Sequence, residues 1–223
     1  MEASRTVEDY LKAIYLAEAR LTSTADLVSM GQIAGAVGVV PGTATSMVKA
    51  LADAGLVRYE PYMGVRLTAA GVRLAGRVLR RHRLIELFLV KVLGMDWTEV
   101  HIEAERLEHA VSDRIIDRID SMLGQPLVDP HGDPIPTAEG TLPQDASLDL
   151  LTAPVEAPLI VTRVLDQEPG FLRYVEQRQL VPGRTIVVLA REPGSDAVRL
   201  RSEDGRETTL GTRAASRILV IPG

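Results

Sequence analysis

Three of the four histidines stand among carboxylates at helical spacing. In RRHRLIELF, His82 and Glu86 are one helical turn apart on the same face. In EVHIEAERLEHAVSD, His101, Glu105, Glu108 and His109 follow at spacings of 4, 3 and 1. At about 100° per residue, these four fall within roughly a 100° arc of one helix. A solvated acidic stripe normally interleaves Lys or Arg at i+4, and His101–Glu105–Glu108 does not. A lone His-x-x-x-Glu pair is an ordinary surface pair. Two such pairs on successive helices, with the Glu108–His109 dipeptide in register, point to metal ligands instead. The chain has no cysteine, so disulfide scaffolds, thiolate zinc fingers, Fe–S clusters and cysteine nucleophiles are excluded. Imidazole plus carboxylate suits a first-row divalent ion: Mn²⁺, Fe²⁺ or Zn²⁺.

A di-metal enzyme would draw on the same residue types. Its helical Glu-x-x-His pattern is absent, because Glu105–Glu108–His109 reads Glu-x-x-Glu-His. No nucleophile motif or phosphate loop appears either. The chain is therefore expected not to be an enzyme.

The elements that would carry these residues begin with a helix from about Thr6, its expected N-cap, to Ala19. A second helix from about Ser29 to Val37 ends at Gly38. A third starts at Pro41, a good first-turn residue, and runs to Ala54. Strand-like runs at Leu56–Tyr59 and Val65–Leu67 flank a Pro61–Gly64 turn, which reads as a hairpin. Three short helices and a hairpin make a winged helix-turn-helix pattern. Gly38 allows the bend between the second and third helices. Pro41, Gly42, Thr43, Thr45, Ser46 and Lys49 give the third helix a small, polar outer face near its start, suited to a major groove. Arg58 and Arg66 flank the hairpin within reach of phosphates.

Thr68 caps a fourth helix, about Ala69 to Leu93, and a fifth is expected from about Trp97 to Leu123. Leu84, Leu87, Leu107 and Ile115 read as core or dimer-interface packing. Residues 124–146 hold five prolines and three glycines, the pattern of a linker or extended surface segment, and His131 within it carries no evident role. PLIVTRVL, TIVVLAR, AVRLR and RILVIP then read as strands of a small β domain, with one helix, about Pro169 to Gln179, between the first two.

The 223 residues carry a net charge of −5, which at first sight argues against nucleic acid. The charge is uneven. Residues 1–80 hold nine Lys/Arg and seven Asp/Glu, leaving 16 and 23 for the rest. A weakly basic head is thus joined to an acidic remainder. No apolar run is long enough for a membrane span, and the acidic, amphipathic N-terminus is not a signal peptide, so a cytoplasmic protein is expected.

EDYLKAIYLAE, GVRLTAAG, RRHRLIELFL, VHIEAERLEHAVSDRIIDRID and DPHGDPIP together resemble the diphtheria toxin repressor family of metal-dependent transcriptional regulators. The resemblance covers nearly the whole chain, and within the family is strongest to the manganese transport regulators of actinobacteria. It implies an α+β protein: a winged helix-turn-helix DNA-binding domain at 1–73, a helical metal-binding and dimerisation domain at 74–125, a Pro-rich linker at 126–150 and an SH3-like β-barrel at 151–223. It implies a homodimer that binds a palindromic double-stranded operator and represses metal-uptake genes, with no membrane partner and no small organic substrate. It further implies two ions per subunit. One site would take Asp9, Glu105, Glu108 and His109; the other would take His82, Glu86 and His101. Iron-responsive members carry methionine and cysteine where this chain has Asp9 and Glu105. Hard oxygen in place of soft sulfur favours Mn²⁺, with Fe²⁺ the alternative. Two positions depart from relatives: Lys12, where small Bacillus-type regulators place a carboxylate, and Arg163, where iron-type members place a Glu, with Asp166 nearby.

Overall fold

A computed structural model describes residues 4–21, 23, 26–143 and 146–223. Contacts divide the chain into two units. The first comprises Met1–His82, Glu108–Asp113 and Pro136–Leu142. The second comprises Arg83–Leu107, Arg114–Ile135 and Pro143–Gly223.

In the first unit, α1 spans Arg5–Glu18. Its N-cap is Ser4, whose side chain accepts from Val7 N–H, so the helix starts earlier than the expected Thr6 cap. Tyr10, Leu11 and Ile14 recur at helical spacing and are buried in a core with Val28, Ile33, Ala44, Val48, Leu51 and Val65. Helix α2, Met30–Val37, is held by a capping box between Ser29 and Gln32 and stops at Gly38, whose φ of 69° is left-handed. Helix α3, Pro41–Asp53, has no side-chain cap and depends on Pro41 to pre-set its first turn. Strands β1, Val57–Glu60, and β2, Gly64–Leu67, pair antiparallel, with Arg58 opposite Arg66. Val28 bridges Val65 and adds a third edge to this hairpin. Gly64 is required there: at φ 147°, a Cβ would come 2.6 Å from the Val28 carbonyl oxygen. Thr68 Oγ1 accepts from Gly71 N–H at the start of α4, Ala69–Lys91.

In the second unit, the expected long fifth helix is two helices. Helix α5 is Val100–Leu107 and α6 is Asp113–Met122, with turns between them. Ser112–Asp113 is itself a helix-start signature, a short hydroxyl before an acidic first turn. The break releases the Glu108 carbonyl, which accepts from Arg81 Nη1 at 3.2 Å. The β region forms one six-stranded antiparallel sheet in the order β3-β8-β4-β5-β6-β7. Its strands are β3 Leu148–Asp149, β4 Pro158–Val164, β5 Thr185–Glu192, β6 Ala197–Ser202, β7 Glu207–Gly211 and β8 Ile218–Pro222. Helix α7, Pro169–Glu176, and the short α8, Thr212–Ala215, add Leu172, Val175 and Ala215 to its core. The architecture is α+β, as expected. Two strands escaped the sequence reading: β3 has only two residues, and the sequence of β7 is mostly polar.

Residues 124–146 are not simply an extended surface segment. Val128 bridges Pro134, and Asp129, His131, Asp133 and Ile135 are buried. Gln144 and Asp145 lie outside the described residues. No helix among the described residues is long and apolar enough to cross a membrane.

Glu18 ties α1 to the hairpin by accepting from Leu67 N–H at 2.7 Å. Burial pushes its carboxyl up, against the lowering effects of that hydrogen bond and of Arg66. The folded chain therefore disfavours the ionised form, and this contribution to stability falls as pH rises above the ordinary carboxylate range. Glu18→Gln keeps the acceptor and removes the titration. Its melting temperature should gain on that of the unsubstituted protein between about pH 4 and about pH 7. A constant difference across that range would contradict the assignment.

Candidate metal centre

Helix α1 turns Glu8, Asp9 and Lys12 toward α4 and the turn that follows α5. Lys12 Nζ donates to both oxygens of Glu108, at 2.7 and 2.9 Å. His82 Nδ1 lies 2.6 Å from Glu108 Oε2. The Glu108 carboxylate has no exposed surface. Burial pushes its pKa up, but the hydrogen bonds and positive charge of His82 and Lys12 outweigh burial and hold it below the usual carboxylate range. Glu108 is thus a buried donor whose anionic form is favoured by its partners.

His109 is set beside it with a defined tautomer. Its Nδ1 lies 2.6 Å from Glu8 Oε2, and a carboxylate can only accept, so Nδ1 carries the hydrogen. Nε2 is the ring's other nitrogen and turns toward the remaining carboxylates. It lies 2.9 Å from Asp9 Oδ1 and 3.1 Å from Glu108 Oε1, yet is buried without a hydrogen bond. Asp9, Glu108 and His109 each present one donor atom within 4.8 Å of the others. A ring nitrogen converging with two carboxylate oxygens is the arrangement a divalent cation resolves, with Glu8 fixing the imidazole from behind. Arg81 pairs with Glu8 at 3.3 Å and Asp113 at 3.4 Å. Sequence reasoning missed Glu8 and Arg81. Glu8 is the residue before Asp9, and only the side-chain directions on α1 separate their roles.

The other expected ligands lie as follows. Glu105 belongs to the second unit, where its carboxylate is 3.8 Å from His101 Nε2. Glu86 is fully buried and its Oε1 is 3.1 Å from His101 Nδ1. His82 precedes Glu86 by one turn on α4 and directs Nδ1 to Glu108. In the C-terminal domain, Asp166 pairs with Arg217, and Glu168 caps α7 by accepting from Phe171 N–H. Arg163 pairs with Asp133.

Of the expected DNA-contacting residues, Pro41, Gly42, Thr43, Ser46, Lys49 and Arg58 are exposed and Thr45 is half-buried. Thr45 Oγ1 donates to the Pro41 carbonyl and Ser46 Oγ to the Gly42 carbonyl. Arg66 departs from the expectation: its guanidinium donates to the Asp26 carbonyl. Tyr62 and Met63, at the hairpin tip, are fully and largely exposed.

Comparison with known proteins matches three successive stretches of the chain. Residues 2–65 match the N-terminal DNA-binding domain of iron-dependent repressors. Residues 68–137 match their metal-binding and dimerisation domain, and residues 148–222 match a FeoA domain. The iron-dependent repressor IdeR of Mycobacterium leprae is 31% identical across 98% of this chain and 89% of its own length. The regulator MntR of Lysinibacillus sphaericus is 36% identical over 51% of this chain and 78% of its own. A solved manganese-dependent transcriptional repressor in complex with manganese superposes with a TM-score of 0.88, at 40% identity, covering 97% of this chain and all of that one.

Glu8→Gln keeps the size of the side chain and removes the anionic acceptor of His109 Nδ1–H. Affinity for Mn²⁺ should fall about 10–100-fold, the usual effect of losing a ligand's hydrogen-bond partner. Competition against a fluorescent chelator measures this directly, and an unchanged affinity would rule out the orienting role.

Proposed function

The chain belongs to the iron-dependent repressor family, and on that footing we propose that it is a manganese-dependent transcriptional repressor. The convergence of Asp9, Glu108 and His109 Nε2, with no sulfur donor, carries this reading. A bound divalent ion would offset the negative charge these residues bring together. Asp9 lies on α1, the helix that leads into α2 and α3. Glu108 and His109 lie in the turn before α6, the second helix of the expected dimerisation region. Ligands drawn from both segments couple the reading head to the dimer. Glu105 completes this ligand set, and His82, Glu86 and His101 hold a second ion, giving two per subunit.

The DNA-competent arrangement is favoured only by as much as these ligands hold the ion more tightly in it. In a homodimer, a fixed separation of two α3 helices matches successive major grooves of a palindromic operator. Pro41, Gly42, Thr43, Thr45, Ser46 and Lys49 face the bases, and Arg58 faces a phosphate. Ile102, Leu107, Ile115 and Met122 are exposed apolar residues of α5 and α6, which supports dimer formation through these helices. The protein acts in the cytoplasm, its sites serve binding rather than catalysis, and metal-uptake genes are its targets. The domains divide at 1–73, 74–125, 126–150 and 151–223, the last being SH3-like.

The full-length likeness to IdeR supports a second reading, an Fe²⁺-dependent repressor of iron uptake. Titrating Mn²⁺, Fe²⁺, Co²⁺ and Zn²⁺ against the binding of duplexes selected from a random pool separates the two. Mn²⁺ should promote binding at concentrations no higher than Fe²⁺ requires, and activation by Fe²⁺ at far lower concentration would favour the second reading. Asp9→Ala should abolish metal-dependent DNA binding while sedimentation still reports a dimer. Equal DNA affinity with and without Mn²⁺ would defeat both readings.

A further inference from the structure

His131 is the histidine that neither proposed metal site uses, and its ring has no exposed surface. Its Nε2 lies 2.9 Å from the Trp97 carbonyl oxygen. A carbonyl only accepts, so Nε2 carries the hydrogen, and in the neutral ring Nδ1 is the lone pair. Nδ1 points at two carboxylates, which, against the lowering effect of burial, push the ring's pKa up. Glu86 Oε2 is 3.8 Å away and Asp129 Oδ1 is 3.9 Å away. Nδ1 makes no hydrogen bond. Glu86 and Asp129 are themselves buried, and the three residues each offer one donor atom within 4.8 Å of the others.

A lone pair aimed at two anions in a dry interior is unfavourable unless positive charge stands between them. A shared hydrogen is the usual remedy, and it draws the partners together: His82–Glu108 and His109–Glu8 close to 2.6 Å, and His101–Glu86 to 3.1 Å. His131 stands well outside that range. Donor atoms about 2.1 Å from one metal ion are roughly 3.0–3.6 Å apart, so the gaps of 3.8 and 3.9 Å need to close by about 0.2–0.9 Å. A histidine with one nitrogen on a carbonyl and the other toward carboxylate oxygens is the usual posture of a metal-ligating imidazole.

The surrounding charges leave room for a cation. Arg83 lies 3.8 Å from Asp129 and 3.5 Å from Asp133, and Arg163 also pairs with Asp133. Asp129 and Asp133 thus face two guanidinium groups, and Glu86 is a third buried carboxylate, set toward His131 and His101. The turn carrying the donors is rigid. Asp129 Oδ1 accepts from the backbone N–H of His131 and of Asp133. Gly132 sits at φ 87° against the Thr162 carbonyl, where no side chain would fit.

We propose that Glu86, Asp129 and His131 form a third, buried site for a divalent first-row cation. His131 Nδ1, an Asp129 carboxylate oxygen and Glu86 Oε2 are its donors. Glu86 also reaches His101 through Oε1, so its carboxylate links this site to the His101 side.

Asp129→Asn is the informative variant, because its amide oxygen still accepts the two backbone N–H groups that build the turn. Equilibrium dialysis of the full-length protein against Mn²⁺, followed by elemental analysis, should count one fewer ion per chain in Asp129→Asn than in the unsubstituted protein. Asp9→Ala should lose a different ion, so the double variant should lose two. No DNA enters this measurement, so its outcome is independent of the repressor reading. An equal count in Asp129→Asn, as when His131 simply shares a proton with a carboxylate, would overturn the proposal. Should Asp129→Asn fail to fold, crystals of the unsubstituted protein soaked in Mn²⁺ decide it. An anomalous peak at bonding distance from His131 Nδ1 is expected, and a map without one overturns the site.

Discussion

Glu108 is the point on which the first unit turns. Its carboxylate is buried and anionic, and two cation-capable partners from two different helices, Lys12 of α1 and His82 of α4, grip it. Burying a carboxylate is costly unless hydrogen bonds and opposite charge compensate, so these partners are obligatory to one another. The requirement joins the first helix, the fourth helix and the turn after the fifth without recourse to apolar contact. It also sets His109, the next residue, against Asp9 and Glu8. The convergence of Asp9, Glu108 and His109 is therefore a by-product of satisfying one buried charge.

Lys12 has a further consequence for this centre. Its ammonium occupies both oxygens of Glu108. A closely spaced pair of ions sharing Glu108 would have to displace a buried cation already bonded there. The arrangement suits a single ion between Asp9, Glu108 and His109.

The winged helix, the hairpin and most β strands were legible, because each rests on local signals: Gly38, Pro41, the Pro61–Gly64 turn and short apolar runs. Helical spacing singled out His82, Glu86, His101, Glu105, Glu108 and His109, whereas Asp9 came only from the family resemblance. The geometry behind that spacing was less legible. His101 and Glu105 share α5, but Glu108 and His109 lie beyond its end, so the continuous arc inferred from a single helix does not exist. The carbonyl that the break releases is taken by Arg81, a contact between residues far apart in sequence. Glu8 and His131 were missed for the same reason. Proline and glycine around His131 signal irregular backbone, and irregular backbone normally lies on the surface. Here Asp129 supplies the hydrogen bonds that allow it to be buried.

Thr45 and Ser46 spend their hydroxyl hydrogens on the carbonyls of Pro41 and Gly42. What remains on those oxygens is lone-pair density. At these two positions the helix is an acceptor surface, and its rotors are already fixed before any duplex arrives. Phosphate oxygens, which are acceptors themselves, find no complement there. The exocyclic amino groups of adenine and cytosine do. In the proposed DNA-bound state, two ordinary back-bonds along one helix would favour base edges over the sugar-phosphate backbone at these positions.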